Sequence, residues 1–350
     1  MSTSFRLRLA LGTLLALGLM AFVFRGMDFP TLGRALAKAD PLCLAGVVLA
    51  ALITYLLRAW RWGYLLAPMA RVPLGELFSA TCIGFMTGLV VPRAGEIVRP
   101  YLVARRHPVS TSAGFATIIL ERLFDLLTVL FLFALYLFVL PVPAAQTTGS
   151  LMTVVKAGGA MAGLGSLAVL GLLVAFHARA EQAMSLCERV LRVFPAWLAK
   201  PALGILRAFG GGLAVLEAPL PHLAAIVVQS VLVWLSIAFS IWICLRAFDV
   251  ALPFHAAFLI IAFLTVGVAI PTPGMVGGFH AFFVVALADV FGVSRDVAGA
   301  AAIACHALTN LPVLVLGLAF LGREGLSLGR VAAMTETNAA GSVPATEATP

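Results

Sequence analysis

Three ionisable residues, Glu121, Arg122 and Asp125, stand some nine to thirteen residues into an otherwise apolar run. Near the centre of a membrane helix each would cost roughly 2.5–3.5 kcal/mol if left unpaired, so such a set needs partners. Arg122 and Asp125, three apart, can pair along one helix. Glu121 and Asp125, four apart, share a face and repel, so a further cation must come from elsewhere. Arg93 or Arg99, or Arg58 and Arg61 at the end of an earlier apolar run, can supply it. Two readings follow: a buried network that ties helices together, or a substrate or proton site built on carboxylates of like charge.

A second constellation is Pro92-Arg93-Ala94-Gly95-Glu96-Ile97-Val98-Arg99. On a helix, Arg93, Glu96 and Arg99 recur every three residues along one face, leaving one carboxylate between two guanidiniums. Guanidinium suits bidentate capture of phosphate, which makes this a candidate headgroup site. The alternative is an ion-pair ridge that only orients the segment. His280 and His306 are the candidate pH-sensitive groups. Neither the six histidines nor the five cysteines show ligand spacing, so no metal, cofactor or disulfide framework is expected. Trp60, Trp62 and Tyr64 read as an interfacial aromatic belt.

The elements that must position these groups are membrane helices. The chain of 350 residues is 62% hydrophobic and 11% charged, with a mean hydropathy of +1.08. Soluble domains carry about 25% charged residues, so this is a polytopic, all-α integral membrane protein. Six apolar runs are long enough to span: about 7–24, 42–58, 113–140, 151–176, 222–245 and 297–321. The first follows Arg6 and Arg8 but has no small-x-small cleavage site after it, and is read as a retained span.

Two further runs, 74–104 and 255–291, are broken near their middles and are predicted to be re-entrant hairpins. Each break carries Gly-x-x-x-Pro-x-x-Gly: Gly88, Pro92, Gly95 and Gly267, Pro271, Gly274, with Pro273, Gly277 and Gly278 beside the second. Broken backbone in lipid persists where it is buried in protein or lines a cavity. A matched pair in two halves of a chain points to a transport site. The match extends to Arg58-Ala59-Trp60 with Arg246-Ala247-Phe248, and to Ala113-Gly114 with Ala298-Gly299. The chain therefore reads as one membrane domain over 1–330. Within it lie repeat 1 at about 42–140, repeat 2 at about 222–321 and a cytoplasmic connector over 177–221. Residues 331–350 read as a disordered tail.

Charge placement orients the chain. With both termini cytoplasmic, sixteen of the 23 basic residues fall on the cytoplasmic side, among them Arg58, Arg61, Arg93 and Arg99. Six fall outside and Arg122 lies within a span, as the positive-inside rule requires. The net charge of +8 is thus topological; it attracts anionic lipid and does not imply nucleic acid. In this topology the two repeats are inverted.

The ordered set Arg58-Ala59-Trp60-Arg61-Trp62, Pro92-Arg93-Ala94-Gly95-Glu96-Ile97-Val98-Arg99, Glu121-Arg122-Leu123-Phe124-Asp125 and Pro271-Thr272-Pro273-Gly274 resembles the flippase-like membrane family. That family includes the membrane domain of lysylphosphatidylglycerol synthase, and the resemblance covers roughly residues 40–320. It implies a protein of the bacterial cytoplasmic (inner) membrane that moves a lipid or lipid-linked headgroup between leaflets. It does not imply lipid aminoacylation, since these 350 residues hold no aminoacyltransferase segment. Where relatives often carry Glu after the second glycine cluster, this chain has His280. That difference points away from an amine-headed substrate and toward a neutral or phosphate-bearing lipid of polyprenyl-linked or hopanoid type. Arg93 and Arg99 would engage phosphate, with Arg58, Arg61, Glu96, Glu121, Arg122 and Asp125 completing the site. The rival readings are an intramembrane lipid-modifying enzyme and a scaffold for an envelope-biosynthesis enzyme. Against the enzyme stands the absence of an HExxH, GxSxG or nucleotide-binding motif.

Overall fold

The computed structural model describes residues 3–25, 27–91, 94–140 and 217–325, with scattered positions between 157 and 215. Among these residues every regular element is helical. Helix α1 (Thr3–Phe24) is followed after a short break by α2 (Phe29–Lys38), which the Asp28 carboxylate caps. Helix α3 (Pro41–Leu66) starts at Asp40, whose carboxylate accepts the Leu42 N–H at 2.9 Å. That bond holds the Asp40 carboxyl below its ordinary pKa. Then come α4 (Leu74–Val90), α5 (Ala94–Ala104) and α6 (Thr111–Phe138), followed by α7 (Leu220–Ala247) and α8 (Ala256–Ala269). A single 3-10 turn at Pro273–Met275 leads into α9 (Gly278–Val284), which continues as a π-helical turn over Val285–Val290. Helix α10 (Arg295–Arg323) closes the described chain.

Among the described residues, length and apolarity qualify four stretches to cross a membrane: α3, α7, Pro273–Val290 and α10. The 28-residue α6 has the length, but every 18-residue window within it contains Glu121, Arg122 and Asp125. Helices α1 and α2 form a pair bent by 90°. The expected span at 151–176 and the connector 177–221 fall in large part, and the tail 331–350 entirely, outside the described residues. The return arm of the second broken run, Pro273–Val290, is long and apolar enough to cross. The arms before the breaks, α4 and α8, are shorter, at 17 and 14 residues.

At each break the chain folds back on itself, and glycine makes the contact. A Cβ on Gly95 would collide with the Gly84 carbonyl, and one on Gly278 with the Gly267 carbonyl. Only hydrogen at Cα lets these backbones approach so closely. The sequence motif aligned Gly88 with Gly267 and Gly95 with Gly274, but the paired glycines are Gly84 with Gly95 and Gly267 with Gly278. The contacts therefore follow a register one helical turn away from the Gly-x-x-x-Pro-x-x-Gly match, because crossing geometry fixes which residues touch. Gly274 and Gly277 instead take positive φ, 62° and 89°, in the turn before α9. Met275 shares that conformation at φ 58°.

Two apolar cores result. One gathers α7, α8, α9 and α10 around Ile241, Leu259, Phe283 and Ala301; the other gathers α3, α4, α5 and the start of α6 around Trp62, Leu65, Ile83 and Leu120. Helix α10 also crosses α4, where a Cβ on Gly317 would run into Met86 and the Cys82 carbonyl. The turn before α9 reaches α4 as well, placing Gly274 beside the Leu89 carbonyl.

Candidate functional site

Glu121 and Asp125 sit mid-helix on α6, fully and almost fully buried, and arginines from three helices surround them. Arg99 of α5 grips Glu121 bidentately, Nη1 donating to Oε1 at 2.9 Å and Nη2 to Oε2 at 3.0 Å. Arg61 of α3 donates from Nη1 to Asp125 Oδ1 at 2.8 Å and to Ser230 Oγ of α7 at 3.0 Å, while its Nη2 lies 3.7 Å from Glu121. Arg58, one turn earlier, donates to Asp125 Oδ2 at 3.1 Å. Arg122 bridges the two carboxylates, bonding Glu121 and lying 3.4 Å from Asp125. The repulsion expected between Glu121 and Asp125 is thus answered by Arg58, Arg61 and Arg99, with Arg122 added from their own helix.

Aromatic rings frame these cations. The Arg99 guanidinium stands 4.4 Å over the Trp62 ring, and Arg58 lies 5.3 Å from Phe85 and 5.9 Å from Trp234. Trp234 Nε1 donates to Asp125 at 3.0 Å, and Trp62 Nε1 to Thr117 at 3.0 Å. A dry, ring-lined setting strengthens each cation–π contact.

This geometry corrects two readings. Arg58, Arg61 and Arg99, counted among cytoplasmic charges, are 6%, 0% and 3% exposed inside the protein. They answer buried carboxylates and are not free surface charges. Trp62 is likewise fully buried under Arg99 and does not belong to an interfacial belt; Trp60, 41% exposed, is free to do so. Ser230, Trp234 and Phe85 were missed. The signal for Ser230 and Trp234 is their spacing of four on α7, the same spacing as Glu121 and Asp125 on α6.

Beside the network lies a cavity of about 330 Å³ between the two broken segments. Gly88, Gly95, Glu96 and Arg99 line it from the first, Arg122 from α6, and Ile270, Pro271 and Thr272 from the second. Its apolar lining includes Leu89 of α4 and Val268 of α8, the latter 37% exposed. Arg122 is the only network arginine with substantial exposure, its side chain 42% accessible. Glu96 makes no ion pair or hydrogen bond among the described residues, so the predicted ridge of Arg93, Glu96 and Arg99 is resolved only in part: Arg99 turns to Glu121, and Pro92 and Arg93 lie outside the described residues.

On the other side of the turn at Gly274, His306 of α10 donates from Nε2 to the Gly274 carbonyl at 2.8 Å. His280 packs against it with ring centroids 4.8 Å apart. The two histidines singled out separately therefore form one pair. Among the described residues no group of three or more His, Cys, Asp or Glu is placed to hold a metal.

Residues 9–317 match the lysylphosphatidylglycerol synthase TM region. The chain belongs to this family. The lysylphosphatidylglycerol synthase TM region accordingly takes in every residue of the charge network and both breaks. The chain is also similar to Glycosyltransferase AglD of Haloferax volcanii, 28% identical over 349 residues that cover 90% of this chain and 54% of that protein. It spans about half the length of that relative. Together with the apolar helices, the family membership makes this a multi-pass membrane protein.

Proposed function

We propose that the protein moves a lipid with a phosphate-bearing headgroup from one leaflet of the cytoplasmic membrane to the other. The observation that carries this reading is the cavity between the two broken segments. It is charged on one side, where Glu96, Arg99 and Arg122 line it, and apolar on another, where Leu89, Val268, Ala269 and Ile270 line it. A charged head can lodge against the guanidiniums while its acyl or prenyl tail stays in the hydrocarbon. In this reading the two breaks are re-entrant hairpin tips related by inversion, the termini are cytoplasmic, and rocking of one hairpin against the other exposes the cavity to each leaflet in turn. Glu121 and Asp125 hold the arginines in place, and the sequence reading assigns Arg93, which lies outside the described residues, to the same phosphate. Flanking glycines and prolines at 88, 92, 95, 267, 271, 273, 274, 277 and 278 supply close approach and bending.

The test is reconstitution of the purified chain with fluorescent lipids of several headgroups and measurement of leaflet exchange. Exchange of phosphate-headed lipids is expected above that in empty liposomes, and Arg122→Ala should abolish it. Exchange no faster than in empty liposomes defeats the reading.

The similarity to a protein named as a glycosyltransferase over half its length favours one second reading: a membrane scaffold for an envelope-lipid or glycan enzyme. It predicts that cavity substitutions are silent in cells while loss of the 177–221 connector is not.

A further inference from the structure

A second cavity, of about 250 Å³, lies at the end of α3, apart from the charge network and from both breaks. Trp60, Tyr64 and Ala67 line it from the end of α3, Arg71 from the segment that leads to α4, and His222 from the start of α7. Its aromatic wall is braced. The Trp60 ring meets Tyr64 edge to face with centroids 6.0 Å apart, Tyr64 lies 5.0 Å from the His222 ring, and His222 Nε2 donates to the Tyr64 carbonyl at 3.0 Å. Arg71 is exposed and makes no ion pair or hydrogen bond among the described residues. Among those residues no carboxylate lines the cavity. One unanswered guanidinium therefore stands beside an amphipathic indole, a setting for an anion at the depth of lipid headgroups.

Size and surroundings say what carries that anion. Pockets that enclose a whole ligand measure about 300–1,000 Å³, so this one seats a small group and leaves the rest of the molecule outside. What lies outside is apolar. Leu49, Ile53, Leu56 and Trp60 are 60%, 44%, 45% and 41% exposed. Spaced four, three and four apart, they share one face of α3, and the next steps of three and four reach Gly63 and Ala67 in the cavity. At 1.5 Å per residue the stripe from Leu49 to Trp60 runs about 16 Å, close to half of the roughly 30 Å hydrocarbon core. An acyl chain of one leaflet covers that distance. Charge disfavours the other occupants. The connector 177–221 holds five basic residues (Arg179, Arg189, Arg192, Lys200, Arg207) against three acidic ones, and would add to the charge of Arg71. A zwitterionic lipid brings an ammonium for which no carboxylate waits.

We propose that this cavity is a fixed docking site for an anionic glycerophospholipid, its phosphate on Arg71, its glycerol region against Trp60 and one acyl chain along the Leu49–Trp60 face. Such a lipid is a resident of the protein's outer surface and not the molecule it moves. The assignment stands whether or not any lipid is translocated.

The test is site-directed photocrosslinking of the full chain in vesicles of phosphatidylcholine with a minor share of phosphatidylglycerol, the acyl chains identical. Photoreactive benzoylphenylalanine is placed at Ala67 in the cavity or at Leu220, 79% exposed and outside the lining, and the adducts are identified by mass spectrometry. At position 67 phosphatidylglycerol should be captured about tenfold beyond its share of the bilayer, as a hydrogen bond to a charged group implies. At position 220 the adducts should follow the bulk mixture. Arg71→Gln should bring the capture at 67 to the bulk ratio, leave that at 220 unchanged and melt with the parent, since Arg71 is exposed and unpaired. Capture at 67 that follows the bulk mixture, favours phosphatidylcholine or keeps its preference in Arg71→Gln overturns the proposal. So does an adduct to another stretch of protein in place of lipid, or a preference abolished by excess glycerol phosphate, which would make the site one for a free phosphate.

Discussion

Glu121 is the residue on which the charge network turns, since all four guanidiniums lie within 4.0 Å of it. Removing one partner of a buried ion pair leaves an uncompensated charge and costs about 3–5 kcal/mol, more than the pair itself is worth. Glu121→Gln is therefore expected to lower the thermal midpoint of the purified protein sharply, and Glu121→Gln with Arg99→Met to recover part of the loss. A single variant that melts with the parent would show that the network carries no stability. The charged triad was legible in the sequence because ionised residues inside an apolar run are conspicuous and demand partners. The identity of those partners was less so. An arginine at the end of an apolar run looks the same whether it stops a span at the headgroups or reaches a buried carboxylate, and the sequence left Arg58 and Arg61 open to both cases. Trp62 was misassigned for the same reason, since a tryptophan near a span's end fits a belt and a buried ring equally well.

Among the elements, the two broken segments were legible from their prolines and glycines, but the contacts that close them were not. Gly84 sits in an apolar helix with no pattern to mark it, yet it is where α5 crosses α4. A Cβ there would also strike the Arg99 side chain that passes over it on the way to Glu121. Alanine ordinarily stabilises a helix by about 1 kcal/mol over glycine. At Gly84, Gly95, Gly267 and Gly278 the sign should reverse, with a loss of about 1–3 kcal/mol from overpacking. Gly75, in the same α4 with nothing within 4 Å of an added Cβ, is the internal control. Thermal unfolding of the five alanine variants checks the contrast, and a Gly95→Ala protein as stable as Gly75→Ala would mean that the crossing is looser than described. Gly84→Ala should in addition reduce phosphate-lipid binding, because it moves a guanidinium without touching a charge.

For the molecule as a whole, the all-helical membrane class followed from composition alone, whereas the number of spans did not. Hydropathy cannot separate an arm that turns back from one that crosses when both are apolar, and Pro273–Val290 has the length for either. The rim of the cavity gives a test at this scale. Cysteine placed at Leu89 or Val268 should react with a membrane-permeant maleimide and resist an impermeant one in intact vesicles; equal labelling by both would place the opening in water.

Helix α1 carries a last consequence. A Cβ on Gly12 would press on the Pro271 carbonyl and one on Gly277 on the Ala16 backbone, so the first helix of the chain rests against the turn before α9. A ribosome delivers α1 first and residues 271–277 only after most of the other helices. Until then the Gly12 and Ala16 face of α1 lacks the turn it rests against, and its seating there is a closing step of biogenesis. Truncation before the second break should therefore leave a protein that inserts but is cleared early, its first helix still waiting for a partner not yet made.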